Sequence, residues 1–388
     1  MLIAALASLV ASQALVVATT LSIPVLATAI APGLEVQAEI LGFHTAAVFA
    51  TAFVFTSSSP KLVSRYGAIR VSQGTLLLSA FGLVVIIFGG IAGLVLSAAF
   101  LGTAYAQGNT ASGALLSRLV TDQNRNLVFS IKQTSVPLGG MIAGLGLPWL
   151  SGIAGWTFAA GILAALALVV ALACAPIRSR LDILSGRGGA TPPRVIALLS
   201  SDPQVRSMAL VAGSYASVQF GLSALIVTYL SKFQGLTLQS AGIVLSASMA
   251  LAVATRIGLG VVADWASARV VLAITGAVMA LAAMVLVGSP STSVAVAATV
   301  IIMTAVFSWN GLFLAEMARM ARPEAVSAAT AAGMLAVFAG GALAPAVFAA
   351  LASTALGYAP VFALATISSA YGCYTLAAAR SVRTFPKA

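Results

Sequence analysis

The chain has 388 residues, of which 61% are hydrophobic and only 7% charged, against roughly a quarter charged in ordinary soluble domains; a soluble globular protein is excluded. Nineteen Lys and Arg against eight Asp and Glu leave a net charge of +11, yet these cations are scattered between apolar runs instead of forming the exposed stripe that nucleic acid requires. One histidine, dispersed acids and two distant cysteines inside apolar runs, Cys174 and Cys373, suggest no metal cluster, disulfide framework, cofactor or catalytic group, so an enzyme is not expected.

A membrane-spanning helix needs about 20 apolar residues, so twelve helices of about 22 would use roughly 264 positions and leave ~124 for connections. The first apolar run, 3–31, is too long for a signal-peptide core and lacks a basic leader, so it is read as an uncleaved span. Pro24 within it removes an N–H and bends the helix. Glu35 and Glu39 follow on an external connection, where both are expected to be solvated. The second span, 39–58, carries His44 near its outer end, a lone histidine expected to pack.

Spans three and four cover 70–89 and 92–118. Near the middle of the fourth, Tyr105, Gln107 and Asn109 are candidate substrate contacts or hydrogen-bond partners of neighbouring helices, because buried amides need partners. The fifth span, 127–150, holds Lys132 a few residues inside its start, followed by Gln133, Thr134, Ser135 and the bend-forming Pro137. Lys132 either attracts an anion into a cavity or extends its stem to the membrane surface. The sixth span covers 156–175.

Segment 176–204 carries Arg178, Arg180, Arg187 and Arg194 with Gly and Pro punctuation, and reads as a cytoplasmic linker between two halves, 1–175 and 205–388. With it inside, every even-numbered connection and both termini are cytoplasmic too, and those segments should carry the cations. Sixteen of the nineteen do so; Lys232 falls outside, while Lys132 and Arg256 fall within spans. The remaining spans are 206–230, 238–262, 269–288, 293–317, 327–350 and 358–379. Tyr215 and Gln219 share a face of the seventh, and Trp309 and Asn310 lie in the tenth; all four are candidate substrate contacts, with packing the alternative for the aromatics. Glu316, three residues before Arg319, is expected to form an interfacial ion pair. Pro345 lies in the eleventh span.

The halves repeat. Gly139-Gly140 recurs as Gly340-Gly341, Gly155-Trp156 as Gly357-Tyr358, Gly33-Leu34 as Gly235-Leu236 and Arg118 as Arg319, at offsets of 201 or 202. Two parallel six-helix repeats around a midplane site are a layout of secondary transporters. The expected fold is therefore an all-α membrane protein of twelve spans in two pseudo-symmetric six-helix bundles.

At the end of the eighth span, Arg256-Ile-Gly-Leu-Gly260-Val-Val-Ala-Asp264 resembles the Gly-x-x-x-Asp loop signature of the major facilitator superfamily. The first-half copy is degraded, with Pro60 and Ser64 in the Gly and Asp places but Arg65 and Gly67 retained. The resemblance implies that Arg65, Gly67, Gly260 and Asp264 belong to the gate on the inner side. Segments 126–140 and 309–319 are similar to bacterial cyanate-permease-like members, and the Arg-x3-Gly-x3-Asp spacing resembles monocarboxylate transporters and oxalate exchangers. In those families the equivalent arginine meets the substrate carboxylate, which the resemblance carries onto Arg256.

A buried cation is costly unless it faces a wet cavity or a partner, so Arg256 and Lys132 together point to a small anionic substrate. The expected function is carriage of a small carboxylate-like anion across the cytoplasmic membrane by alternating access, with a coupling proton or an exchanged anion, in a monomer embedded in the bilayer. The alternatives are an exporter of amphipathic drugs or metabolites, with Arg256 in the gate, and a membrane sensor that does not transport.

Overall fold

The computed structural model describes residues 2–56, 58–119, 128, 131–182, 199–320 and 326–378, without the side chains at 59, 60, 64, 109, 110, 113, 114, 117, 118, 179, 180, 264, 318 and 326–328. Every regular element among them is helical. In a bilayer, backbone N–H and C=O groups must be satisfied within the segment, and the helix does this for an apolar run.

Ten apolar helical stretches are long enough to cross a membrane. Two of them, Ala68–Gly108 and Ile131–Arg178, have 41 and 48 residues, about twice the span of a bilayer core at ~1.5 Å per residue. Each reverses at a glycine in a backbone conformation closed to other residues: Gly90 has φ 54°, ψ −138° and Gly155 has φ 84°, ψ 170°. The paired limbs then pack on each other, with the rings of Phe81 and Phe100 4.8 Å apart, edge to face. Among the described residues this divides the ten stretches into twelve helical limbs.

In chain order these are α1 Leu2–Val25, α2 Gly42–Thr56, α3 68–89 and α4 91–119, α5 131–153 and α6 156–173, α7 Pro203–Lys232, α8 Leu238–Trp265, α9 Ala268–Val287, α10 292–320, α11 Val326–Ala352 and α12 Ala359–Ala378. The end from which α6 leaves and α7 begins is the linker end; the opposite end is the far end. Residues 183–198 of the linker, and Arg125, Arg322, Arg380, Arg383 and Lys387, lie outside the described residues.

The sequence repeat has a geometric counterpart. Gly139 of α5 seats against the backbone of Ala14 in α1, and Gly340 of α11 seats against that of Gly213 in α7, so each pair of glycines fits its own half together. The next residue of each pair faces the other half: Gly140 meets Met249 of α8, and Gly341 meets Phe49 of α2. Gly155 and Gly357 both hold positive φ. With no hydrophobic drive between helices in lipid, such small residues provide the close backbone approach that packing needs.

The halves meet along two seams related by this symmetry. On one, a π-helical turn at Ile142–Gly146 of α5 brings Gly144 against Gly242 and Ser246 of α8, and Ser246 Oγ donates to the Met141 carbonyl at 3.2 Å. On the other, Gly42 of α2 meets Ala349 and the Pro345 carbonyl of α11. Helix α11 continues through Pro345.

Glu39 is not solvated, as the sequence reading expected; it is 3% exposed. Lys232, the cation that falls on the wrong side of the charge pattern, reaches both its oxygens at 3.0 Å. The far-end connection before α2 is thereby pinned to the end of α7 in the other half, whereas Glu35 remains exposed at its turn. Half of the Lys232 side chain is in solvent, so the pair contributes about 1 kcal/mol. Glu39→Gln is expected to open the far end about fivefold more often. With Cys174 and Cys373 replaced by Ala, a cysteine at Ala349, now buried against Gly42, should react correspondingly faster with a membrane-impermeant thiol reagent. The exchanged pair Glu39→Lys/Lys232→Glu should restore the original rate; equal rates in all three proteins would show that the pair does not hold this end closed.

Candidate functional site

Arg256 lies on a stripe of α8 with Ser248 and Ala252, eight and four residues before it, which aligns them on one face. That face runs along α10: Thr304 Oγ1 donates to the Ser248 carbonyl at 3.3 Å and Ser308 Oγ to the Ala252 carbonyl at 3.4 Å. Where the stripe reaches Arg256, α10 breaks. Phe307, Ser308 and Trp309 leave the helix before it resumes at Asn310–Met320, and Arg256 Nη2 donates to the Phe307 carbonyl at 2.5 Å.

Arg256 Nη1 crosses to the other half and donates to the Gln133 carbonyl of α5 at 2.8 Å. The local sequence explains why that carbonyl is free. Residue 137 would be its helical donor, and Pro137 has no N–H. The guanidinium therefore ties α5 to α10 through two neutral backbone oxygens, and its Nε is buried with no partner among the described residues.

Beside it, Lys132 is 4% exposed, so its ammonium is inside the protein and not extended to the membrane surface. Its Nζ donates to Gln133 Oε1 at 3.2 Å, and Arg256 is near enough to repel it electrostatically. A buried lysine and a partly buried arginine thus lie side by side in the seam between the halves.

The other sequence candidates separate into distinct places. Tyr105 of α4 stands edge-on to Phe49 of α2 at 5.1 Å and to Phe338 of α11 at 6.5 Å, and Phe49 packs against Phe220 of α7 with the rings tilted and 4.0 Å apart. These four rings, two from each half, form an apolar midplane cluster of which only Tyr105 was anticipated. Gln107 points toward the linker end, where its Nε2 donates to Ser58 Oγ at 3.0 Å and to the Phe55 carbonyl at 3.4 Å. It serves the neighbouring helix end. The side chains of Asn109 and Asp264 lie outside the described residues.

Tyr215 is wholly buried in the second half, with its hydroxyl on the Leu272 carbonyl at 2.9 Å and its ring filling the space left by Gly276 and Gly372. Trp309 packs beside it at 5.6 Å and on Phe313 at 5.5 Å. Both aromatics are buried among their neighbours. Gln219 and Asn310 bond each other, Nδ2 to Oε1, at 3.1 Å, joining α7 to the segment where α10 resumes. His44 bonds Ser97 across α2 and α4 at 2.9 Å.

At the linker end, Arg65 lies exposed over the Tyr66 ring at 5.3 Å. Gly67, with φ 91°, turns the chain into α3, and the space where a side chain would sit is taken by Asp182. Asp182 accepts from the N–H groups of Ile69 at 2.7 Å and Arg70 at 3.2 Å, capping α3. Burial pushes its carboxyl up, while these two N–H groups pull it back. This acid comes from beyond α6, which spacing within the loop could not reveal. In the second half, Gly260 has open space where a side chain would point. Glu316 pairs with Arg319, as expected, and also with Arg269 at the start of α9.

Two pseudo-symmetric six-helix halves that meet along buried seams define a membrane transporter. A model of the Major Facilitator Superfamily matches residues 6–345, and the chain belongs to that family. The structure is similar to that of a bacterial homologue of the human lysosomal transporter Spinster in an inward-facing and occupied conformation, with TM-score 0.75, 17% identity and coverage of 96% of this chain and 93% of that one. It is also similar to such a homologue in an inward-facing and unoccupied conformation, with TM-score 0.70, 17% identity and the same coverages. At that identity the likeness is one of fold. No curated protein matches the chain in sequence.

Proposed function

We propose that this transporter carries a small organic anion of the carboxylate class across the cytoplasmic membrane by alternating access, through exchange or linked to a proton, as a monomer with both termini in the cytoplasm. The observation that carries the reading is the partnering of Arg256. Among the described residues its guanidinium meets backbone carbonyls and no carboxylate, so its charge is hydrogen-bonded without being neutralised, in a seam that also holds Lys132. A carboxylate would supply the missing charge, and the planar guanidinium suits it bidentately. The excess of Lys and Arg at the linker end supports a cytoplasmic placement of that end. The far-end contacts of Glu39, Gly42 and Gly144 support a conformation closed to the outside.

A second reading, an exporter of amphipathic drugs or metabolites, is favoured by the aromatic cluster of Phe49, Tyr105, Phe220 and Phe338, with Arg256 then serving as a tie in the gate. Thermal unfolding of the purified protein and of Arg256→Ala across mono- and dicarboxylates, cyanate-like anions and lipophilic cations separates the two, because a ligand that binds the folded state raises its unfolding temperature. Stabilisation by selected carboxylates that disappears in the variant is expected. A response confined to lipophilic cations and unchanged in the variant would replace the anion reading by the exporter.

A further inference from the structure

Buried polar atoms in native proteins nearly always have partners, and those that do not call for an explanation. In the middle of α1, Gln13 is 2% exposed, and neither its Oε1 nor its Nε2 has a partner among the described residues. The side chain lies against Gly108 of α4, where a single added carbon would stand 2.8 Å from Gln13 Oε1. Glycine at 108 keeps the space in which the amide sits. Tyr105, one turn back along α4, belongs to the midplane cluster between the halves.

Further unpartnered atoms lie on α5, which packs against α1, and on α8, which packs against α5. Gly139 of α5 seats on Ala14 and Val17 of α1, so Ser135, one turn earlier on α5, comes to the level of Gln13. Its Oγ is fully buried and also without a partner. Two residues before Ser135 is Gln133, whose carbonyl holds Arg256, and the Nε of Arg256 is the next unpartnered donor. Helices α1, α5 and α8 thus contribute an amide, a hydroxyl and a guanidinium N–H that the fold does not use.

We infer that Gln13 is a specificity-determining residue, whose amide, with Ser135, binds a second hydrogen-bonding group on the anion held by Arg256. This rests on the anion reading and narrows it: the substrate class is a hydroxy- or oxo-substituted carboxylate, not a simple fatty acid. A site built to hydrogen-bond a substrate hydroxyl discriminates strongly against the analogue lacking it, because its own polar groups are then left unpaired.

The test compares matched probes, lactate with propionate and malate with succinate, by the concentration dependence of thermal unfolding of the full chain. Wild-type protein is expected to bind the hydroxylated member about tenfold or more tightly. In Gln13→Met the affinity for propionate and succinate should persist, the preference should fall to about one, and the unfolding temperature without ligand should stay level or rise, since an unpaired buried amide has been replaced by an apolar chain of similar length. Gly108→Ala, which crowds the amide without removing it, should reduce the preference in the same direction and serves if Gln13→Met does not fold. A preference retained in the variant, or carboxylate binding by the wild type without any preference, would overturn the assignment of Gln13 alone. If no carboxylate stabilises the wild type, the anion reading falls and the assignment falls with it.

Discussion

Arg256→Lys is expected to slow transport of the anion identified by thermal screening by roughly 30- to 150-fold in liposomes, a loss of about 2–3 kcal/mol for charged hydrogen bonds and a stranded carbonyl. Lysine keeps the charge, so a role resting on charge alone would leave transport nearly intact. What lysine lacks is the planar fork. One ammonium on a flexible stem cannot reproduce the two Nη contacts to Gln133 and Phe307 and cannot meet a carboxylate side-on. The Gln133 carbonyl, which Pro137 deprives of its helical donor, would then be stranded in the interior.

A second substitution separates the structural part of this loss from the functional part. Pro137→Ala supplies an N–H that can close the helix onto the Gln133 carbonyl. In the double variant Arg256→Lys/Pro137→Ala, thermal stability should recover while transport stays low. Recovery of both would mean that Arg256 acts through the backbone tie; full transport in the single lysine variant would end the bidentate role altogether.

Glu316→Gln should produce the largest loss of stability. The carboxylate is fully buried and receives Arg269 Nε at 2.7 Å, Arg319 Nε at 2.8 Å and Arg319 Nη2 at 2.7 Å. It joins the start of α9 to the end of α10, the helix whose break supplies the Phe307 carbonyl. An amide turns one acceptor into a donor facing a guanidinium and leaves two cations without a counter-charge. Breaking a buried ion pair costs about 3–5 kcal/mol; because the Arg319 side chain is 46% exposed, about 2–4 kcal/mol is the appropriate range after solvent screening. At about 1–1.5 °C per kcal/mol for a chain of this size, the unfolding temperature should fall by roughly 2–6 °C. The apolar pair Glu316→Met/Arg269→Met should recover much of it, since removing both charges spares the burial cost of each. A fall below about 1 °C in the single variant would show that the pair is held by packing around it.

How far each residue could be read from sequence depended on the range of the interaction that fixes it. Gln107 and Lys132 show the limit: both were recognised as polar groups inside a span, yet only the packed structure turns Gln107 toward Ser58 and keeps Lys132 inside. Gln13 carried the same signal, a lone amide in an apolar run, and gained its meaning only when α4 placed Gly108 opposite it. The aromatic cluster gave no local sign, because a phenylalanine in an apolar span looks alike whether it faces lipid or the other half.

The sequence by itself determined the membrane class, the twelve crossings, the repeat and the distribution of charge between the two ends. Each of these follows from a constraint that acts on one segment at a time: an apolar run must close its own hydrogen bonds in the bilayer, and loop cations stay on one side. The tertiary structure alone decided which polar groups meet. Arg256 finds its carbonyl 123 residues away and Glu39 its lysine 193 residues away. Those pairings depend on how two six-helix halves lie against each other, and that geometry is written in small residues such as Gly42, Gly140 and Gly144, whose role is visible only once the helices touch.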